Sequence, residues 1–178
     1  MNNAEEGFRR GVRLAVDVGS VRVGLAACDP DGLVASPVRT LARDSRRGSD
    51  LAEIAAEVVE RNAVEVVVGL PKSLDGQERA AAAAARGYAV RLARRVAPVR
   101  VRLVDERLST VGAHRALHDA GVGGRKHRKM VDQMAAVLVL QTALEAEKAT
   151  GRAPGSLVET GSPPDGPAAE GGQEASSG

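Results

Sequence analysis

The sequence predicts an α/β fold in which a mixed sheet, a three-stranded antiparallel meander plus two parallel strands, carries helices on its faces. Three observations lead there. Short apolar runs separated by turn residues open the chain, helical spacing replaces them after residue 50, and two strand-to-helix-to-strand passages follow. Such passages lay parallel strands side by side with helices crossing over them. The runs VRLAVDV, VRVGLAAC and LVASPVRTL, between about 12 and 40, are separated by Gly19-Ser20 and by Asp29-Pro30-Asp31-Gly32. Gly19-Ser20 suits a two-residue turn with glycine at the first, positive-φ position, and Pro30 with Gly32 suits a slightly longer one. Asp50 followed by Glu53 resembles a capping box, after which Leu51, Ile54, Ala55, Val58 and Val59 recur at helical spacing. Next come an apolar strand, VEVVVGL (64–70), a loop, PKSLDG, an alanine-rich helix from about 77 to 95, and the strand VRVRLV (99–104). Helices at 109–119 and 131–147 complete the body, with Val131, Met134, Ala135 and Leu138 along one face of the last.

A chain of 178 residues is a one-domain length, and 43% hydrophobic with 27% charged residues excludes a wholly disordered protein. No apolar run approaches the roughly 18–20 residues that cross a bilayer, and MNNAEEGFRRGVR lacks the apolar stretch of a signal peptide. The expectation is a cytoplasmic protein with no membrane partner. Cys28, the single cysteine, can form neither an internal disulfide nor a cysteine-based zinc site, and reads as a small buried apolar residue. Phe8 and Tyr88 are the only aromatics, so base-stacking platforms are excluded and any nucleic acid must be held by its phosphates. Residues 151–178 carry Arg152 against Glu159, Asp165, Glu170 and Glu174, a net charge of −3 that leaves +5 on the rest. Gly, Pro or Ser fill 15 of those 28 positions, too little apolar surface to offset ordering entropy. The organisation read from this is an N-terminal extension (1–11), a folded domain (12–147) and a disordered acidic tail (148–178).

Ligands of open α/β sheets gather beyond the carboxyl ends of the strands, so acids at those ends carry weight. Asp17 lies near the end of the first strand in LAVDVG, where an unpaired buried charge costs several kcal/mol. Gly19 removes bulk beside it and Arg22 supplies a cation; capping of the Gly-Ser turn explains Asp17 equally well. Asp105-Glu106-Arg107 follow the apolar strand that ends at Val104, which is either a second acidic strand end or ordinary loop charge before a helix capped by Ser109 or Thr110. Asp132, on the first turn of a largely apolar helix, by itself complements the helix dipole. Taken together, three carboxylates converging from two strand ends and a helix start can bind Mg²⁺, which favours oxygen ligands. Two such ions about 3.5–4 Å apart activate water on a phosphodiester. The loop GVGGRKHRK (121–129) places Arg125, Lys126, Arg128 and Lys129 just before Asp132, where a flexible cationic segment grips phosphates; a solvated charge run is the alternative. His114 and His118 lack a third zinc ligand, and His127 falls in the basic loop. GLPKS lacks P-loop spacing, and no G-x-G-x-x-G follows a strand.

The segments DVGSVRVG (17–24), GLPKSLDG (69–76), DERLST (105–110) and VDQMAA (131–136) resemble the four signature segments of the YqgF/RuvX family over about residues 12–145. The resemblance implies an RNase H-like fold and phosphodiester hydrolysis dependent on Mg²⁺ or Mn²⁺, on structured nucleic acid. It carries the catalytic and metal-binding carboxylates over to Asp17, Glu106 and Asp132. Gly19, Arg22, Lys72, Arg107 and Ser109 within these segments, with Arg125, Lys126, Arg128 and Lys129, are then the substrate-binding set. Two enzyme roles follow: 5′-end processing of pre-16S rRNA, the leading one, and Holliday junction resolution, which requires a homodimer because a junction presents two symmetric cuts. A catalytically silent RNA-binding factor is the reading from another class. It gains nothing from gathering three negative charges near phosphate, and the chain is too short for the two lobes of a related ATPase.

Overall fold

The computed structural model describes residues 7–71, 76–105 and 125–161, with the backbone alone at 76–78 and 125–127. Its elements are β1 (Arg13–Val18), β2 (Arg22–Cys28), β3 (Ala35–Ala42), α1 (Ser49–Glu60), β4 (Glu65–Leu70), α2 (Gly76–Val96), β5 (Arg100–Asp105), α3 (Arg125–Thr150) and β6 (Ser156–Leu157). The sheet runs β3-β2-β1-β4-β5-β6. β1, β2 and β3 pair antiparallel, whereas β1, β4 and β5 pair parallel, so the meander and both parallel strands are as the sequence predicts. β4 is buried along its whole length, the mark of a central parallel strand covered on both faces.

Alternation along the strands sends side chains to two cores. Leu14, Val16, Val66, Val68 and Val101 pack with Ile54 and Val58 of α1 and Tyr88 and Leu92 of α2. Ala15, Ala26, Cys28, Val67 and Val104 pack against Ala136, Val139, Leu140, Ala143 and Leu144 of α3. The fold is thus three layers, helix on sheet on helix. Cys28 is a free, buried thiol, as expected of a small core residue.

Several local expectations change. The hydrogen bond from the Gly19 amide to the Arg22 carbonyl (2.8 Å) closes the first hairpin around Ser20-Val21, so Gly19 flanks the turn and does not take a positive φ. Its lack of a side chain matters for another reason: a Cβ there would lie 2.7 Å from the Arg22 carbonyl oxygen. No capping box forms at Asp50. Gly48 occupies the N-cap of α1 with φ 68° and no side-chain cap, while the Asp44 carboxylate accepts the amides of Arg46, Arg47 and Ser49 and the Ser49 hydroxyl. Asp50 turns inward instead and accepts the Tyr88 hydroxyl at 3.0 Å. Val59 faces solvent, because the apolar stripe of α1 runs through Leu51, Ile54 and Val58. α3 begins at Arg125, so residues 125–129 are helical and not a loop; Arg and Lys propagate a helix well, and glycines end at Gly124. Its buried face runs through Ala136, Val139, Leu140, Ala143 and Leu144, one step round from the predicted stripe, of which Ala135 alone is buried. The predicted helix at 109–119 lies outside the described residues.

Both proposed chain ends join the body further than expected. α3 continues to Thr150, and Ser156 and Leu157 pair antiparallel with β5, so the ordered body runs past residue 147. At the other end, Arg9 binds Glu65 (3.0 Å) and Glu147 (2.8 Å), two carboxylates that are 0% and 1% exposed. Arg13 reaches Glu147 (3.1 Å), Arg102 reaches Glu65 (3.0 Å), and the Phe8 ring lies 4.6 Å from the Arg13 guanidinium. This network sits between the amino ends of β1 and β4 and the last turns of α3.

Burial pushes the Glu147 carboxyl up, but hydrogen bonds from the Arg9 side chain and amide, with the charge of Arg13, outweigh it and hold the group below its ordinary value of 4.5. Its contribution to stability is therefore present at neutral pH and lost as pH falls from 4.5 through the lower folded-state value. Glu147→Ala, which strands Arg13 in the interior, is expected to cost about 3–5 kcal/mol and to lower the melting temperature by on the order of 10 °C. A thermal melt at neutral pH checks this, and a drop of less than about 2 °C would show that the network is energetically idle.

Candidate active site

The carboxyl ends of β1, β4 and β5 lie along one edge of the sheet, and β1 brings Asp17 to it, half-buried, in register with Gly24 of β2. Directly opposed residues of an antiparallel pair share a face, so the Asp17 side chain rises on the same side as a Gly24 side chain would. That side is the α3 side, since Arg13 and Ala15, four and two residues earlier, meet Glu147 and the α3 core. Above Gly24 lies Asp132. A Cβ built on Gly24 would stand 2.1 Å from the Asp132 carbonyl oxygen and 2.6 Å from its carbonyl carbon, so backbone meets backbone. Glycine inside a strand is a sign of such an approach. Through this contact Asp17 and Asp132, 115 positions apart along the chain, come together at one strand end.

Asp132 stands two turns into α3 and not in its first turn, so dipole complementation does not account for it. Its Oδ2 accepts a hydrogen bond from Arg22 Nε at 2.7 Å, an ion pair with side chains 30% and 22% exposed. Arg128 and Lys129, exposed on α3, precede Asp132 by four and three residues, which puts them on its side of the helix. The Lys129 carbonyl accepts the Thr40 hydroxyl at 3.0 Å, tying this stretch of α3 to β3. Gly19 marks the hairpin beside Asp17, and its carbonyl accepts Arg43 Nη1 at 3.0 Å. Arg125 and Lys126 begin α3, their side chains outside the described residues. Lys72, Glu106, Arg107 and Ser109 also lie outside the described residues; β5 ends at Asp105, one position before Glu106.

Among the described residues no three His, Cys, Asp or Glu side chains form a metal-binding group. The two carboxylates that are described supply hard oxygen donors, the chemistry Mg²⁺ and Mn²⁺ require, and Arg22 fixes the orientation of one of them. Sequence reasoning missed Gly24 and Arg43 as positioning residues. Gly24 announces itself as an isolated glycine within an apolar strand, whereas nothing local in the sequence singles out Arg43.

Gly24→Ala is expected to force α3 away from β2, destabilising the protein by about 3 kcal/mol and reducing any activity that needs Asp17 beside Asp132. Gly87→Ala, where a Cβ meets nothing within 4 Å inside α2, should stabilise by about 0.5–1 kcal/mol. Melting temperatures of the two variants check both signs, and a neutral Gly24→Ala would overturn the close-approach account.

The chain matches the model of the Holliday junction resolvase RuvX family over residues 11–146. A protein of Kineococcus radiotolerans named "Putative pre-16S rRNA nuclease" is 65% identical over 151 residues, covering 85% of this chain and 80% of that protein. One of the same name from a Nocardioides species is 56% identical over 158 residues, covering 85% of this chain and 99% of its own. Among solved structures, Thermus thermophilus RuvC in complex with a Holliday junction substrate aligns with a TM-score of 0.48 at 14% identity, over 79% of this chain and 97% of that one. With the family model spanning three-quarters of its length and relatives more than half identical over most of it, the chain belongs to the RuvX family.

Proposed function

We propose that this RuvX-family nuclease is a divalent-metal-dependent endonuclease that cuts structured nucleic acid, with 5′-end processing of pre-16S rRNA in the cytoplasm as its role. The observation that carries the reading is the placement of Asp17 and Asp132 across Gly24 at the carboxyl edge of the parallel strands, with Arg22 bound to Asp132. The names of the Kineococcus and Nocardioides relatives support RNA as the substrate. The description of the family supports a second reading, resolution of DNA junctions by a homodimer. No helix among the described residues is long and apolar enough to cross a membrane.

In this reading Asp17, Asp132 and Glu106 hold Mg²⁺ or Mn²⁺. When bound, the metal supplies a nucleophile at neutral pH and charge stabilisation at the phosphate. Arg22 holds one oxygen of Asp132 and so sets the carboxylate plane. Gly24 lets α3 approach closely enough for the two carboxylates to share a site. Arg128 and Lys129, with Arg125, Lys126, Lys72, Arg107 and Ser109, bind phosphates on either side of the scissile bond without reading bases.

The test incubates purified protein with a precursor 16S rRNA fragment and with a four-way DNA junction, each with Mg²⁺, Mn²⁺ or chelator. Cleavage of the RNA alone, abolished by chelator, is expected; cleavage of the junction alone would replace the leading role with the second. Asp17→Asn, Glu106→Gln and Asp132→Asn should each abolish cleavage with the melting temperature little changed. Arg22→Gln, which removes the hydrogen-bond partner of Asp132, should cost about 10–100-fold. Full activity in any of the three carboxylate variants would remove that residue from the site.

A further inference from the structure

On the α1–α2 side of the sheet the start of α1 and the end of α2 enclose an open cleft of about 400 Å³ that is lined by five arginines and no acid. Arg46 and Arg47 come from the turn before α1, Arg91, Arg94 and Arg95 from the last two turns of α2, and Gly48 opens α1 at its edge. All five arginines are exposed, and none makes an ion pair among the described residues. The neighbouring acids are spent elsewhere. Asp44 is held down to about 2 by the Arg47 amide and the Ser49 hydroxyl, with the amides of Ser49 and Arg46 adding to them, and it faces that turn. Asp50 is 2% exposed and bonded to Tyr88. Complementing the dipole at the end of α2 accounts for Arg94 and Arg95 but not for Arg46, Arg47 or Arg91. Five like charges around one cleft repel one another, and a polyanion relieves that repulsion.

Arg43 links the hairpin beside Asp17 to the neighbourhood of the cleft. The Arg43 amide donates to the Val21 carbonyl (2.9 Å), and its guanidinium donates to the Gly19 carbonyl (3.0 Å). The same guanidinium lies 5.6 Å from the centre of the Tyr88 ring, with that of Arg91 at 5.7 Å. Arg43 therefore stands between the Gly19 hairpin and the Tyr88 ring that Arg91 also flanks. Tyr88 is 1% exposed, so the cleft offers no ring on which a base could stack.

Building on the nuclease reading, we infer that this cleft is a second nucleic-acid contact, which grips the sugar-phosphate backbone of a substrate arm beyond the cleavage site and does so without sequence preference. It extends the footprint around the edge of the sheet, away from α3. Substrates with long arms are therefore held more tightly than substrates trimmed to the cleavage region.

The test measures binding and cleavage of two labelled precursor rRNA fragments, one long-armed and one trimmed, over a range of salt. The double variants Arg46→Gln/Arg47→Gln and Arg94→Gln/Arg95→Gln are compared with Arg79→Gln/Arg86→Gln, which removes equal charge from exposed positions of α2 outside the cleft. Each cleft variant should lower the salt slope for the long-armed fragment by about 1.5, at roughly 0.7–0.9 per phosphate contact. Cleavage of the trimmed fragment should stay within about twofold, and Arg46→Lys/Arg47→Lys should restore the slope because the charge returns. An unchanged slope in both cleft variants, or an equal fall in the control, overturns the inference while leaving the nuclease reading intact. Failure of the nuclease reading looks different: the wild-type protein would neither bind nor cut either fragment, and the cleft would lose its ligand with it.

Discussion

Helix α3 touches the sheet backbone to backbone at Gly24, where the Asp132 carbonyl fills the volume that any side chain would need. The approach sets the height of α3 above β1 and β2, and with it the phase of the helix. Ala136, Val139, Leu140, Ala143 and Leu144 then fall on the sheet, while Arg128 and Lys129 turn outward beside Asp132. Small residues on the facing strands, Ala15, Ala26 and Cys28, keep the same close spacing along the helix. A bulkier layer would raise α3 and separate the two carboxylates that the strand end and the helix contribute. The approach of Asp132 to Asp17 and the packing of the core are thus one constraint met twice.

At the opposite end α3 is held by charge. Glu147 and Glu65, both buried, are met by Arg9, Arg13 and Arg102 in bonds of 2.8–3.1 Å. Arg13, Glu65 and Glu147, each no more than 1% exposed, are costly to bury unless their geometry is good, and a buried pair broken on one side costs more than it contributes when whole. What such a network supplies is register. An apolar seam tolerates sliding of a helix by a turn, whereas Glu147 satisfies Arg13 at one position along the sheet. Fixing that end fixes Asp132, fifteen residues earlier on the same rigid helix.

Much of the fold is legible in the sequence because it is written locally. Apolar runs of strand length, turn residues between them and helical spacing place β1 to β5, α1 and α2 within a few residues, and the acid inside LAVDVG marks Asp17. What escapes is non-local. Arg9 looks like part of a polar leader until Glu65 and Glu147 are beside it, and SLV in a Gly- and Pro-rich stretch looks unpaired until β5 offers an edge. Asp50 with Glu53 matches a capping signature, yet a buried Tyr88 hydroxyl outcompetes the helix start for the carboxylate, and Asp44 takes over the turn. The start of α3 misleads because charge and neighbouring glycines resemble a loop, although Arg and Lys extend helices readily. The approach of Asp132 to Asp17 needs the fold itself, because only the register of β1 on β2 reveals Gly24 as the point between them.

The Arg9 clasp also dictates an order of assembly. Arg9 binds a carboxylate 56 residues away and another 138 residues away, so its two contacts differ greatly in the chain that must be made before they close. During synthesis the meander and the βαβ passages emerge first and can collapse on α1 and α2, with Glu65 already in the central strand. Glu147 emerges later, and until it does Arg13 lacks this carboxylate partner on α3. A nascent chain therefore lacks α3 on one face of its sheet until residues 125–150 arrive, and packing of that face is tied to their arrival. The edge that joins Asp17 to Asp132 forms in the same event, since Asp132 arrives on the helix that closes the clasp.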